Sequence, residues 1–485
     1  MVRQADAYRL TEDELFLAVN VNLGMRGEIE DRDGYEQHSG NLTRTIHWLF
    51  PWRTPAGVDH LLATDSAGNI WQDTLDGTFT DSTKDLGSQS GLQLHGVGFA
   101  GTNDKVYVSA KSMANVVSFD GTTWADVATI PKAKILLHRH ERLFAINDTA
   151  NPSRIYFSEL ADPETFDALD FLDCSPGDGY EINAAIEFGD DIILFKDHEI
   201  WKLTGRTPNT FALYRIDKER GCVSPKTVKQ MGGKLYFFDR DTGVWAFDGA
   251  NFTLISEPVH DYLMSAQSYS IAHTYAAFAS EENRYHLSMI SNMTFVFFDR
   301  NQGWTLYTTT FYDTVLYLDD EYSGHEEAAG VLLLNQSREV FPIEFGEALA
   351  AVTPYITTGW IRLGGPGAKA RVRRIEVPLR ADAEDSITVN MFRDFVPDVY
   401  KTRTFILGMP PYGDDSPSIQ QERIMALDGW GDRIQTVRFD FRFTNFSGSF
   451  SMKGLTIFFT GGADFRGERH STGVGGVVYN AKGCT

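Results

Sequence analysis

GKLYFFDRDTGVWAFDG, residues 233–249, carries the unit from which most of the chain is built. An aromatic run (235–238) meets the turn DRDTG, and a second apolar run (244–247) follows. Two β-prone runs separated by Asp, Thr and Gly read as a β-hairpin. The arrangement recurs on both sides: LLATDSAGNIWQ (61–72), DKVYVSA (104–110), RLFAIN (142–147), SRIYFSEL (153–160), DDIILFKDHEIWKLTG (190–205), RYHLSMISNMTFVFFD (284–299) and VLLLNQSREVFPIEF (331–345). The turns DSAGN, KDHE, DRDTG and NQSRE sit between paired runs. Trp71, Trp201 and Trp245 follow such turns at comparable places, and Phe341 does so more loosely. At roughly 40–50 residues per four-stranded blade, the span 51–350 holds about six or seven blades. A β-propeller is favoured over stacked β-sandwiches, which share the hairpin signal.

Past residue 350 the pattern changes. ARVRRIEVPLRA (370–381), SITVNMFRD (386–394), IQTVRFDFRFTNF (434–446) and GSFSMKGLTIFF (448–459) alternate with period two, as half-buried antiparallel strands do. GMPPYGDDSPSIQ (408–420) reads as an exposed loop. Helix signals are few: 10–18, and 257–266 with Ser256 as cap and Pro258 in the first turn. The expectation is an all-β chain: a β-propeller-like central domain plus an antiparallel β-sandwich platform, with few helices. Residues 1–50 form an N-terminal arm contributing to the platform, 51–350 the propeller, 351–462 the C-terminal β-sandwich and 463–485 a glycine-rich tail.

Composition narrows the function classes. Of 485 residues, 44 are Lys or Arg and 66 are Asp or Glu, a formal charge of −22. Nucleic-acid binding is driven by Lys and Arg neutralising phosphates, so such a chain repels DNA as a whole. An aromatic content of 13% is too high for a disordered chain. No segment reaches the ~20 apolar residues of a membrane span, and the first residues lack the apolar core of a signal peptide. Three cysteines make no disulfide framework and fit synthesis in a reducing cytoplasm.

Motifs for chemistry fail on inspection. His325, Glu326 and Glu327 begin like a zinc-protease helix, but Ala329 stands where the second histidine is needed. GGPGAK (364–369) lacks the Gly-Lys-Ser/Thr ending of a phosphate loop, and GSQSG (87–91) has Gln89 where a nucleophile elbow has serine. TDSAGNIW (64–71) falls short of a sialidase Asp-box by spacing and reads as a hairpin turn with a buried Trp. Asp239 and Asp241 alternate as calcium ligands can, but Gly243 follows at the next ligand position, so an Asx-stabilised turn is preferred. His138 and His140 share a strand face without a third ligand. Asp319, Asp320 and Glu321 form an acidic loop facing lumen or solvent. No carboxylate pair stands out for glycoside hydrolysis; no catalytic residue, cofactor or metal site is assigned. Arg371 and Arg373 share a strand face, and with Arg374 they suit inter-subunit pairing better than DNA recognition.

Several of these stretches resemble a recurrent family of tailed-phage structural proteins. They are HERLFAINDTANPSRIYFSELADPETFD (140–167), IILFKDHEIWKLTG (192–205), RGCVSPKTVKQMGGKLYFFDRDTGVWAFDG (220–249) and ISEPV (255–259). ARVRRIEVPLRA, the WGDR turn (430–433), VRFDFRFTN (437–445) and SMKGLTIFFT (451–460) are similar to the end of the tail nozzle proteins of short-tailed phages, also called tail accessory or packaged-DNA stabilisation proteins. RDGYEQHSG (32–40) is similar to an early segment of the same family. The resemblance covers about three quarters of the chain; the tail after 465 departs from it. It implies a non-enzymatic virion protein located in the tail, a homo-oligomeric ring, commonly a hexamer. The ring would sit below portal and adaptor (the head-to-tail connector), carry fibre, spike or needle proteins, and extend the channel that retains and ejects the genome. Double-stranded DNA would pass transiently, without specific binding. An acidic wall suits that passage, because a basic one would hold DNA by counterion release. The alternative from another class is a glycan-binding or glycan-hydrolysing propeller, an adhesin or sialidase-like protein, using aromatic side chains as sugar platforms.

Overall fold

In LYFF (235–238) successive side chains leave opposite faces of one strand, and both faces are buried. Leu235 and Phe237 pack with Ile193 and Phe195 of the preceding sheet. Tyr236 and Phe238 pack with Tyr285, Phe295 and Phe297 of the following one. The pattern repeats upstream: Ile192 and Leu194 meet Phe144 and Ile146, while Leu143 and Ala145 meet Phe99 and Tyr107. A strand covered on both faces reads as a continuous apolar run rather than an alternating one. That geometry, sheet on sheet around an axis, is a β-propeller.

The computed structural model describes residues 15–24, 28–32, 46–86, 94–100, 104–267, 276–316, 331–343, 353–363, 369–381, 386–406, 423–444, 450–461 and 474–479, apart from short turns within these stretches. Among them, five four-stranded sheets and then four strands of a larger sheet follow one another as blades 1 to 6: residues 46–85, 95–127, 133–173, 184–217, 229–254 and 276–307. A three-stranded sheet, 311–343, forms blade 7. Each blade is built from consecutive antiparallel strands. The first strands of neighbouring blades adjoin, and Phe311–Leu316 of blade 7 lies beside Ile46–Arg53 of blade 1, closing the circle. Outermost strands face water, as in Thr80–Asp85, where four of six residues are fully exposed.

The remaining strands form a sandwich with its own core, including Ile375, Val377, Val389, Trp430, Phe439 and Phe441. Strands from the N-terminus belong to it. Leu15–Val19 pairs antiparallel with Tyr355–Thr358, while Val21–Leu23 and Ile29–Asp31 join the opposite sheet through Phe450–Met452. Val19 also pairs in parallel with Leu306, in the last strand of blade 6. Blade 6 and one sheet of the sandwich are therefore one continuous ten-stranded sheet.

Two local expectations are corrected. Within 10–18, residues 15 onward are a strand, not a helix: Leu15 and Ala18 are core residues and the backbone bonds to 355–358. Pairing on both sides of LFLAV overrides a helical propensity that was weak to begin with. The second helix exists, as a 3-10 turn Glu257–Val259 running into His260–Gln267. Ser256, however, does not cap it. Its hydroxyl accepts the Val244 N–H at 2.9 Å, and Gly243 has φ +107 where a Cβ would strike that hydroxyl. Glycine is therefore required there.

Candidate functional site

Four turns and links from the resembling stretches, NPSR (151–154), KDHE (196–199), GCVSP (221–225) and DRDTG (239–243), lie where the second-to-third-strand turns and the inter-blade links of blades 3 to 5 meet. At their centre stands Lys196, whose side chain is fully buried. Its Nζ donates to Asp178 Oδ2 at 2.6 Å, Ser153 Oγ at 3.1 Å and the Ser175 carbonyl at 3.3 Å. Ser153 belongs to the NPSR turn, and Ser175 and Asp178 to the link into blade 4. Burial raises the Asp178 carboxyl, but the bonds from Lys196 and the Tyr180 N–H outweigh it and hold the group below its usual range.

The next turn along is locked by backbone. Cys222 N–H donates to the Lys196 carbonyl, and Asn183 Nδ2 donates to the Cys222 carbonyl at 3.0 Å. A Cβ on Gly221 would overlap the carbonyls of Lys196 and Asp197, so the GCVSP turn needs glycine for close approach. Gly221 N–H donates to Asp239 Oδ2 at 2.9 Å. Asp239 Oδ1 accepts from Asp241 N–H (3.0 Å), Thr242 N–H (2.8 Å) and Thr242 Oγ1 (2.6 Å). The carboxylate proposed as a turn anchor rather than a calcium ligand is thus surrounded by donors. Asp65 does the same in blade 1, accepting from Ala67, Asn69 and the Trp71 indole. Trp201 donates its indole N–H to Glu199 at 2.9 Å and Trp245 to Thr242 at 2.7 Å. The three tryptophans singled out by the repeat hold the turns that precede them; Trp71 is half-buried.

Towards the axis, Glu181 accepts from both Lys111 and Lys134, the latter at 3.0 Å. Burial raises its carboxyl, and these two cations bring it below its usual range. Burial pushes the His95 imidazole in blade 2 down to about 4, helped by the charge of Lys229 in blade 5.

The arrangement offers no visible chemistry. Among the described residues no group of three His, Cys, Asp or Glu could hold a metal ion. The His138 ring lies tilted against Phe99, centroids 4.3 Å apart, whereas His140, with φ +50, turns to the Asp190 carbonyl, so the two imidazoles do not converge. Burial pushes the Cys174 thiol up to about 12 and the Cys222 thiol up to about 11, which makes both poor nucleophiles. No helix among the described residues is long and apolar enough to cross a membrane.

The three arginines expected at a subunit contact lie on Ala370–Ala381 and are exposed. Against Leu455–Gly461 the register runs from Val372–Phe459 to Arg374–Phe458, so Arg373 is the extra residue of a β-bulge there, whereas against Arg423–Ile434 the extra residues lie on the facing strand. Arg374 Nε pairs with Glu376 Oε1 at 2.8 Å within the strand. Asp319, Asp320, Glu321, His325 and most of GGPGAK lie outside the described residues. Lys196 and Asp178 escaped the sequence reading. The only signal was a lysine directly abutting the apolar run IILF, and nothing in the sequence names its partner.

No family model and no curated protein matches this chain. Solved structures similar to it include YCF48 bound to D1 peptide, at 11% identity and TM-score 0.43, covering 66% of this chain and 98% of that one. BBS1N in complex with ARL6DN is similar at 8% identity and TM-score 0.44, over 66% of this chain and 100% of that one. BamB from Moraxella catarrhalis is similar at 9% identity and TM-score 0.40, over 70% and 98%.

Proposed function

We propose that this chain is a structural subunit of a phage tail nozzle, one segment of a ring that extends the DNA channel below the portal and adaptor. The observation that carries the reading is the ten-stranded sheet. It fuses an outer blade of the propeller to a sandwich completed by the N-terminal strands, giving a stiff two-part block suited to bearing load. The resembling stretches support it, since their polar residues are spent on locking turns. The charge of −22 supports it too: a wall of such subunits does not retain phosphate. The lumen in this reading is enclosed by the ring of copies.

The glycan reading needs presented aromatic faces. Trp304 and Trp430 are fully buried, and Trp71, Trp201 and Trp245 hold their own turns.

The test is reconstitution. The full chain mixed with the connector complex of its parent phage co-sediments with it if the proposal holds. Failure to bind the connector, or turnover of a polysaccharide by the purified chain, overturns it.

A further inference from the structure

The connection between the third and fourth strands of blade 3 (158–170) is the longest of its kind among the described blades, and it is acidic. Glu159 and Asp167 are exposed and Asp170 half-exposed. Two leucines stand among them in water, Leu160 at 57% and Leu169 at 82% exposure. Burial first, then the charges of Asp167 and Glu159, raise the Asp170 carboxyl, against the opposing charge of Arg142, which lies 3.9 Å from Glu159. Exposed apolar side chains amid an excess of one sign of charge mark a docking surface and state the chemistry of its partner, apolar and basic.

The platform carries such a surface. Arg371 and Arg373 are exposed on their strand, and Arg433 is exposed in the facing bulge between the Ala370–Ile434 and Val372–Gly431 pairs. The exposed Arg403 guanidinium lies beside Gly429 on the same facing strand. The adjoining hairpin exposes Val396 at 44% and Val399 at 48% with the exposed Asp398 between them, so the arginines outnumber but do not exclude acids on this edge, and the hairpin is tied to the segment after Arg433 by Asp394, which accepts the Gln435 N–H at 2.8 Å.

The two patches cannot meet within one chain in this fold. The platform is joined to blade 6 and the loop belongs to blade 3, three blades away in a circle of seven, which is the far side. Different patches on opposite sides of a molecule make a head-to-tail contact, and such contacts close into rings when the rotation allows.

We propose that the acidic, leucine-bearing loop of blade 3 in one copy docks on the basic, valine-bearing edge of the platform in the next. The inference rests on the ring reading above and names its interface. Arg374, paired to Glu376 within its strand, is left out of the contact.

The test uses two full-length variants, Glu159→Lys with Asp170→Lys, and Arg371→Glu with Arg373→Glu. Sedimentation velocity is run on each alone and on an equal mixture, with thermal melts as the folding control. The expected result is an assembled wild type, monomeric single variants with unchanged melting, and assembly restored in the mixture, where opposite defects alternate. A misfolded variant could not be rescued in this way. Variants that assemble like the wild type, or a mixture that stays monomeric, overturn the interface and leave the ring standing. A wild type that stays monomeric at every concentration and on the connector overturns the ring itself.

Discussion

At the residue scale the account turns on buried polar groups that lock turns. Lys196 has no exposure and three acceptors, whereas Asp178 is exposed, so removing the lysine costs its charge-assisted hydrogen bonds and returns the carboxylate to water. Hydrogen bonds to a charged group contribute about 1.5–3 kcal/mol; Lys196→Ala is expected to lower stability by about that amount in denaturant titration, with the midpoint shifted and the slope unchanged. The same groups set the acid limit. Asp178, Glu181 and Asp299 are held below their usual range, in each case by hydrogen-bonding lysines that outweigh burial. A carboxyl with a lowered folded pKa contributes stability above its unfolded pKa of about 4, and loses it as pH falls through the folded value. Melting temperature is therefore expected to be flat from pH 7 to about 5 and to fall below about 4. The fall should be shallower in Lys196→Ala, where part of that linkage is already gone; an equally steep fall would show that Lys196 does not set the Asp178 shift.

At the element scale, the hairpins were legible because propeller strands announce themselves twice, as short β-prone runs and as Asp/Gly turns between them. The three tryptophans were legible as a repeat, but their hydrogen bonds were not, since sequence does not say which turn atom an indole reaches. Strict alternation in ARVRRIEVPLRA was legible, but the bulge at Arg373 was not: one extra residue against the neighbouring strand leaves the composition untouched. LFLAV was misread as helix because its pairing partners lie about 290 and 340 residues downstream, beyond any local pattern. That strand gives a test. Ala18 is fully buried in the sandwich core, and placing an unpaired charge there costs several kcal/mol. Ala18→Asp is expected to melt the platform first, leaving a protease-resistant fragment that spans the blades between about residues 46 and 343. Loss of the whole chain in one transition would show that the two parts fold as a single cooperative unit.

At the scale of the whole molecule, shape and charge act together. Copies at −22 each repel one another unless specific contacts compensate. In the proposed ring, complementary patches on blade 3 and the platform would supply that contact, and the acidic lumen would let DNA slide without being held. Imaging the purified full chain on its connector by single-particle electron microscopy tests this most directly. Closed rings with a through-channel wide enough for duplex DNA, each platform seated against the neighbouring propeller, are the expected result. Isolated subunits, or a ring whose lumen is too narrow for duplex, would contradict it.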